Sequence, residues 1–254
     1  MPGSSACPTV GLPKHALKAV ELGADAVTVQ GGEGGGHTGA VPTTLLIPQV
    51  VDAVGDRVPV VAAGGFKDGR GLVAALAWGA EGIAMGTRFL MTEESPVPRA
   101  TLQRYIDCGN PGEIVVSRAM DGLPQRMIRN ELLLELEKAG PLEKLLIALR
   151  NGLAFRRHTG AGVLDLMKSA LAMSRDDDMT TAQAIMSANA PMIIQKAMVE
   201  GEPAHGVLPS GPGSGCDRRT GKLPGAHRRH RGGSGAATRR TGNARDPGSS
   251  PGGP

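Results

Sequence analysis

The sequence predicts an α/β fold with a parallel sheet, and three observations point there. Short apolar runs alternate with amphipathic helical stretches, in the order α-β-α-β-α-β-α, between Lys14 and Cys108. Near-continuous apolar strands between such helices belong to a sheet covered on both faces. Each run then ends in a glycine-rich turn. A doubly wound sheet and a (β/α)₈ barrel both satisfy the alternation, but glycine-rich turns at the C-terminal ends of successive strands favour the barrel, where sites gather at that face.

Residues 1–12 read as a loop, broken by Pro2, Gly3, Pro8 and Gly11. A helix follows from Lys14 to Leu22, with Gly23 as its C-cap. Ala26–Gln30 is the first strand. Thr43 or Thr44 caps a helix to about Val54, and Val58–Ala63 is the second strand. Asp68 caps a helix through Trp78, Gly82–Gly86 is the third strand, and Ser95-Pro96 opens a helix to Cys108. Beyond Gly109 the pattern changes. Glu113–Ser117 is one more short strand, and Asn130–Arg150, Val163–Ser174 and Thr180–Glu200 are helical. The expected organisation is a partial barrel over 1–112, a helical appendage over 113–208 and a disordered basic tail over 209–254.

The tail expectation rests on composition. From Pro209 onward Leu223 is the sole large aliphatic residue, too little apolar surface to offset chain entropy. Of the 28 Lys and Arg residues nine lie in 211–254, against two of the 24 acids, which leaves 19 basic and 22 acidic residues before it. The body is therefore mildly acidic, and the overall charge of +4 does not signal a nucleic-acid partner. An out-of-frame extension of a GC-rich gene is the expected origin of the tail, with nucleic-acid binding by it as the alternative. Cys7, Cys108 and Cys216 give neither a disulfide framework nor a metal pattern, so a reducing, cytoplasmic setting and no metal are expected. No signal peptide and no apolar run of membrane-spanning length, about 20 residues, is visible.

Three turns carry chemistry. Gln30-Gly-Gly-Glu-Gly-Gly-Gly-His37 follows the first strand directly. Its glycines admit close backbone approach and positive φ. Gln30 offers an amide at the strand end, and His37 is the group suited to proton transfer near neutral pH; Glu33 reads as structural. The second turn, Ala62-Ala-Gly-Gly65, leads into a helix N-terminus that presents N–H groups to a phosphate; in isolation it is an ordinary βα turn. Lys67 and Arg70 beyond it fit solvated helix positions. The third, Met85-Gly-Thr-Arg-Phe89, adds a hydroxyl at Thr87. Paired Gly-Gly and Gly-Thr tips on consecutive strands make the phosphate site of a barrel's last two strands.

These turns, in this order, resemble the nitronate monooxygenase family, and Ser117–Asn130 is similar to the segment just past that family's barrel. The resemblance covers about 13–200. It implies a TIM (β/α)₈ barrel with bound FMN. It implies that Gln30 and Gly35 meet the flavin, that Gly64, Gly65, Gly86 and Thr87 hold the phosphate, that Gly36 and Met85 also belong to the cofactor site, and that His37 is the catalytic base. Family members usually carry Ala where this chain has Gly34, a change expected to loosen the loop. They also carry about five βα units before the histidine loop of an eight-strand barrel, whereas some 25 residues precede it here. The expectation is thus strands 6–8 alone, a fragment inactive by itself. The implied reaction is oxidation of a nitronate or nitroalkane, with His37 removing the α-proton and O₂ reoxidising the flavin. Two alternatives share the constellation, an FMN-dependent enoyl reductase and a flavin enzyme acting on CoA esters in steroid-ring breakdown, to which Gln30–Thr44 and Met85–Pro98 are similar. A non-functional product, or a binding module keeping only the phosphate cup, is the reading from a different class. The appendage is expected to serve as a homodimer surface or a lid, with no nucleic-acid or membrane partner.

Overall fold

The computed structural model describes residues 4–140 and 192–214. The helix expected at 163–174, and the parts 141–150 and 180–191 of the helices expected at 130–150 and 180–200, lie outside them. Four parallel strands form the main sheet: β1 (Thr9–Val10), β2 (Val27–Gln30), β4 (Val60–Ala63) and β5 (Gly82–Ala84), in that spatial order. Helices α1 (Pro13–Glu21), α2 (Thr43–Val54) and α3 (Gly69–Ala77) connect them. This repeated βα unit with side-by-side parallel strands is an arc of a TIM barrel. The sequence reading is corrected in one respect: Thr9–Val10, taken as loop, pairs with Thr28–Val29, so the arc holds four strands rather than three. A two-residue strand has no periodicity to betray it, and only its partner defines it.

The two faces of the sheet differ. Val27, Val29, Val60 and Ala62 are buried against Leu46, Ile47, Val50 and Val54 of α2 and Ala16 of α1. Thr28 and Gln30, alternating with the valines on β2, point the other way and line an open cavity. The sheet is therefore dry on its helix side and polar on the inner side.

A second, antiparallel sheet follows the barrel arc. Strands β3 (Gly36–His37), β7 (Gln125–Ile128) and β6 (Ile114–Ser117) lie in that order. Because β3 belongs to the glycine-rich loop, this sheet bridges the boundary expected at residue 112. The strand expected at Glu113–Ser117 is present as β6, and β7, which was not expected, follows it before the first helix of the appendage. One-turn helix α4 (Thr87–Leu90) precedes α5 (Arg99–Asp107), which starts after Pro98 and not at Ser95. Helix α6 (Glu131–Lys138) is capped by Asn130, whose Oδ1 accepts from the Leu133 N–H at 3.0 Å. A further helix, α7, spans 192–198.

The segment after α7 corrects the tail expectation for 209–214 alone; the rest of the expected tail, 215–254, lies outside the described residues. Leu208, Ser210 and Ser214 are fully buried. Leu208 O accepts from Ile128 N at 3.0 Å, and Ser210 N donates to Arg126 O at 3.2 Å, so Pro209 forms an antiparallel bridge with Met127 of β7. Tyr105 is itself buried and donates to Pro209 O at 2.9 Å; burial pushes its phenol well above the ordinary value. Order in 209–214 comes from backbone pairing and close glycine contacts, which a criterion based on apolar content does not register.

Candidate active site

The glycine loop is built around its carboxylate. Glu33 turns back so that Oε2 accepts from the Thr43 N–H at 2.9 Å and from the Thr43 hydroxyl. Thr43 opens α2, where Pro42 supplies no side-chain cap. A loop carboxylate thus satisfies a free amide at the helix N-terminus and complements its dipole. This assigns Glu33 the structural role its sequence context suggested. Glu33→Ala is expected to lower stability by about 1 kcal/mol, read as a fall in the urea midpoint, with Glu33→Gln retaining most of it.

The glycines serve room more than torsion. Among those of the loop, only Gly36 has positive φ, at 75°. A Cβ at Gly31 would collide with Thr43, and one at Gly34 with the Gln30 side chain. At Gly35 it would stand 2.6 Å from Gly211 N and 2.7 Å from Ser210 C. The Gly34 contact revises the idea that glycine merely loosens the loop. It lets Gln30 fold beneath and donate to His37 O at 2.6 Å.

At the second turn both Gly64 and Gly65 have positive φ, 96° and 80°. The expected phosphate-binding amides of α3 are, however, already engaged. Asp68 Oδ1 accepts from Arg70 N at 3.0 Å and Gly71 N at 3.4 Å, and Asp68 Oδ2 pairs with the Arg70 guanidinium at 2.6 Å. Hydrogen bonding from Arg70 holds this exposed carboxyl below its ordinary value. Two of the amides expected to face a phosphate are therefore occupied by the helix's own cap. At the third turn the Thr87 hydroxyl accepts from Gly211 N at 3.0 Å, which leaves its own proton available for donation.

The strand tips surround a cavity of about 620 Å³. Gln30, Gly35, Gly64, Gly65, Met85, Gly86 and Thr87 all line it, with Lys67 and Arg88 as its basic groups and Leu90, Val97, Ile194 and Met198 among its apolar wall. Two expected members do not. Gly36 and His37 form β3, which pairs with Arg126 and Gln125 of β7, and neither is part of the wall. His37 instead meets residues the sequence reading did not single out. Its Nε2 lies 2.8 Å from Asp121 Oδ2. Gln125 Nε2 donates to the same oxygen at 2.6 Å. Asp121 is 3% exposed and His37 57%. Asp121 was legible only as an acid in Ser117–Asn130, because its partner is 84 positions away.

Comparison with known proteins places this geometry. The profile of the nitronate monooxygenase family matches residues 3–223. The (3aS,4S,5R,7aS)-5-hydroxy-7a-methyl-1-oxo-octahydro-1H-indene-4-carboxyl-CoA dehydrogenase of Rhodococcus jostii is 52% identical over 204 residues, 80% of this chain and 57% of that protein. The protein of the same name from Mycobacterium tuberculosis is 48% identical over 214 residues, 84% of this chain and 60% of its own length. The chain therefore spans less than two thirds of these curated relatives. FabK from Thermotoga maritima superposes with a TM-score of 0.60 at 28% identity, covering 87% of this chain and 57% of that one. A four-strand barrel arc, glycine-bearing tips around one cavity and a profile match over most of the sequence agree: the chain belongs to the nitronate monooxygenase family.

Proposed function

We propose that the chain forms the cofactor-gripping and base-bearing part of an FMN-dependent oxidoreductase whose substrate is a coenzyme A ester of a fused-ring carboxylic acid. One observation carries the cofactor reading: seven residues drawn from three separate turns converge on a single cavity. Its volume of about 620 Å³ falls within the roughly 300–1,000 Å³ of cofactor-sized sites. Gly64 and Gly65, in a conformation side chains rarely adopt, bring bare backbone to the wall. Lys67 and Arg88 add positive charge suited to a phosphate, and the Gln30 amide suits the polar edge of a planar ring.

A flavin bound there would supply the electron-pair chemistry. The chain's own residues would hold its phosphate through the Gly64-Gly65 and Gly86-Thr87 turns and exclude water with the apolar wall. His37 would take up the proton the substrate gives up. The substrate class is supported by the two relatives of 52% and 48% identity, both named for a bicyclic carboxyl-CoA. The family name favours a second reading, oxidation of nitronates or nitroalkanes with O₂.

The test is to incubate the purified chain with FMN, remove free cofactor by gel filtration and record the spectrum. Retained flavin bands near roughly 370 and 450 nm are expected; a colourless protein would sink the cofactor reading. Anaerobic addition of a bicyclic keto-acid CoA ester should then bleach the long-wavelength band. Bleaching by nitroethane and not by the ester would transfer the assignment to nitroalkane oxidation.

A further inference from the structure

We infer that Asp121, with Gln125, is a positioning residue that fixes the tautomer of His37, placing the proton on Nε2 and leaving Nδ1 as the basic nitrogen. The inference rests on the proposed role of His37 as a base, but the arrangement itself is read from hydrogen bonds alone.

Three nitrogen and oxygen atoms form a triangle: His37 Nε2 to Asp121 Oδ2 at 2.8 Å, Gln125 Nε2 to the same oxygen at 2.6 Å, and Gln125 Nε2 to His37 Nε2 at 3.1 Å. A carboxylate can only accept, and a Gln amide nitrogen can only donate. Nε2 cannot donate to Asp121 and accept from Gln125 at once. The two shorter edges are satisfied together only if Nε2 carries the proton, and the 3.1 Å edge then closes the triangle without being a hydrogen bond. The neutral ring so held has its lone pair on Nδ1.

Asp121 is itself pinned. Its Oδ1 accepts from the Leu123 N–H at 3.0 Å, and its side chain is 3% exposed. That bond decides what an isosteric substitution does. In Asp121→Asn the Leu123 N–H keeps the amide oxygen in the Oδ1 position. The new NH₂ then replaces Oδ2 and faces His37. Nε2 must become an acceptor, and the proton moves to Nδ1, which removes the basic lone pair. Gln125, buried beside this point, loses Oδ2 as its acceptor and must turn its amide so that Oε1 accepts from the new NH₂.

The readout is the nitrogen-15 spectrum of ring-labelled histidine in the purified chain, with the His37 signals assigned by their loss in His37→Gln among the six histidines. The wild-type protein is expected to show neutral His37 protonated on Nε2, and Asp121→Asn to show it protonated on Nδ1. In the FMN-loaded protein, Asp121→Asn should lower turnover by about 10²- to 10⁴-fold with KM changed little. Wild-type His37 protonated on Nδ1, or an unchanged tautomer in Asp121→Asn, would overturn the inference. Should that variant fail to fold, the wild-type spectrum alone still decides it. Flavin absorbance of the same samples reports separately on the cofactor, so failure of one reading is distinguishable from failure of the other.

Discussion

Gly64→Ala is expected to destabilise the chain by about 2–5 kcal/mol, the sum of left-handed backbone strain and overpacking, and to weaken FMN binding by at least about tenfold. Gly64 sits at φ 96°, where any side chain costs energy. Its added Cβ would lie 3.1 Å from Gly34 N and 3.4 Å from Gly31 N. Both contacts are backbone atoms of the neighbouring loop, which cannot swing aside as a side-chain tip would. The loop must retreat, and it is held in place by the Thr43 hydroxyl reaching Gly64 O at 3.4 Å and by Gly31 N bonding Ala63 O at 3.3 Å. Gly86→Ala is the control. Gly86 has an ordinary φ of −85°, and its Cβ would meet nothing within 4 Å. Its urea midpoint should stay within experimental error of wild type. Equal losses in the two variants would mean that glycine at the second turn is not conformationally required.

That contrast also shows which part of the site was readable beforehand. Strands β2, β4 and β5 carry short apolar runs, and Asp68 sits where a helix cap belongs, so sequence alone placed them. The three turns were found because their glycines follow strand ends directly. What each glycine does was not legible. Gly64 and Gly86 look alike in sequence, yet one is held at positive φ and the other is not. The loop glycines similarly suggested unusual torsion, whereas Gly31, Gly34 and Gly35 are needed for the approach of Thr43, Gln30 and Ser210-Gly211. Such contacts join distant positions and leave no local pattern. The same reason hid Thr9–Val10, the pairing of Gly36-His37 with β7, and the packing of Pro209–Ser214. Each is defined by a partner rather than by its own composition.

His37→Gln is expected to reduce turnover of the FMN-loaded protein by about 10²- to 10⁴-fold, the usual contribution of a positioned general base. FMN affinity should remain within about threefold of wild type, well under the 1.4 kcal/mol of a tenfold change. The separation follows from the geometry. His37 is not part of the cavity wall, while Gln30, which is, bonds only the backbone carbonyl of His37. Glutamine preserves that carbonyl and the pairing of residue 37 with Gln125 in β7. Its amide can also donate to Asp121, so the buried carboxylate keeps a partner and the loss of about 1–3 kcal/mol from an orphaned acceptor is avoided. Alanine at the same place would confound the two effects by leaving Asp121 with the Gln125 amide alone on Oδ2. A His37→Gln protein that turns over normally would remove the imidazole from the chemistry, and its bond to Asp121 would then serve only to fasten the glycine loop to β7.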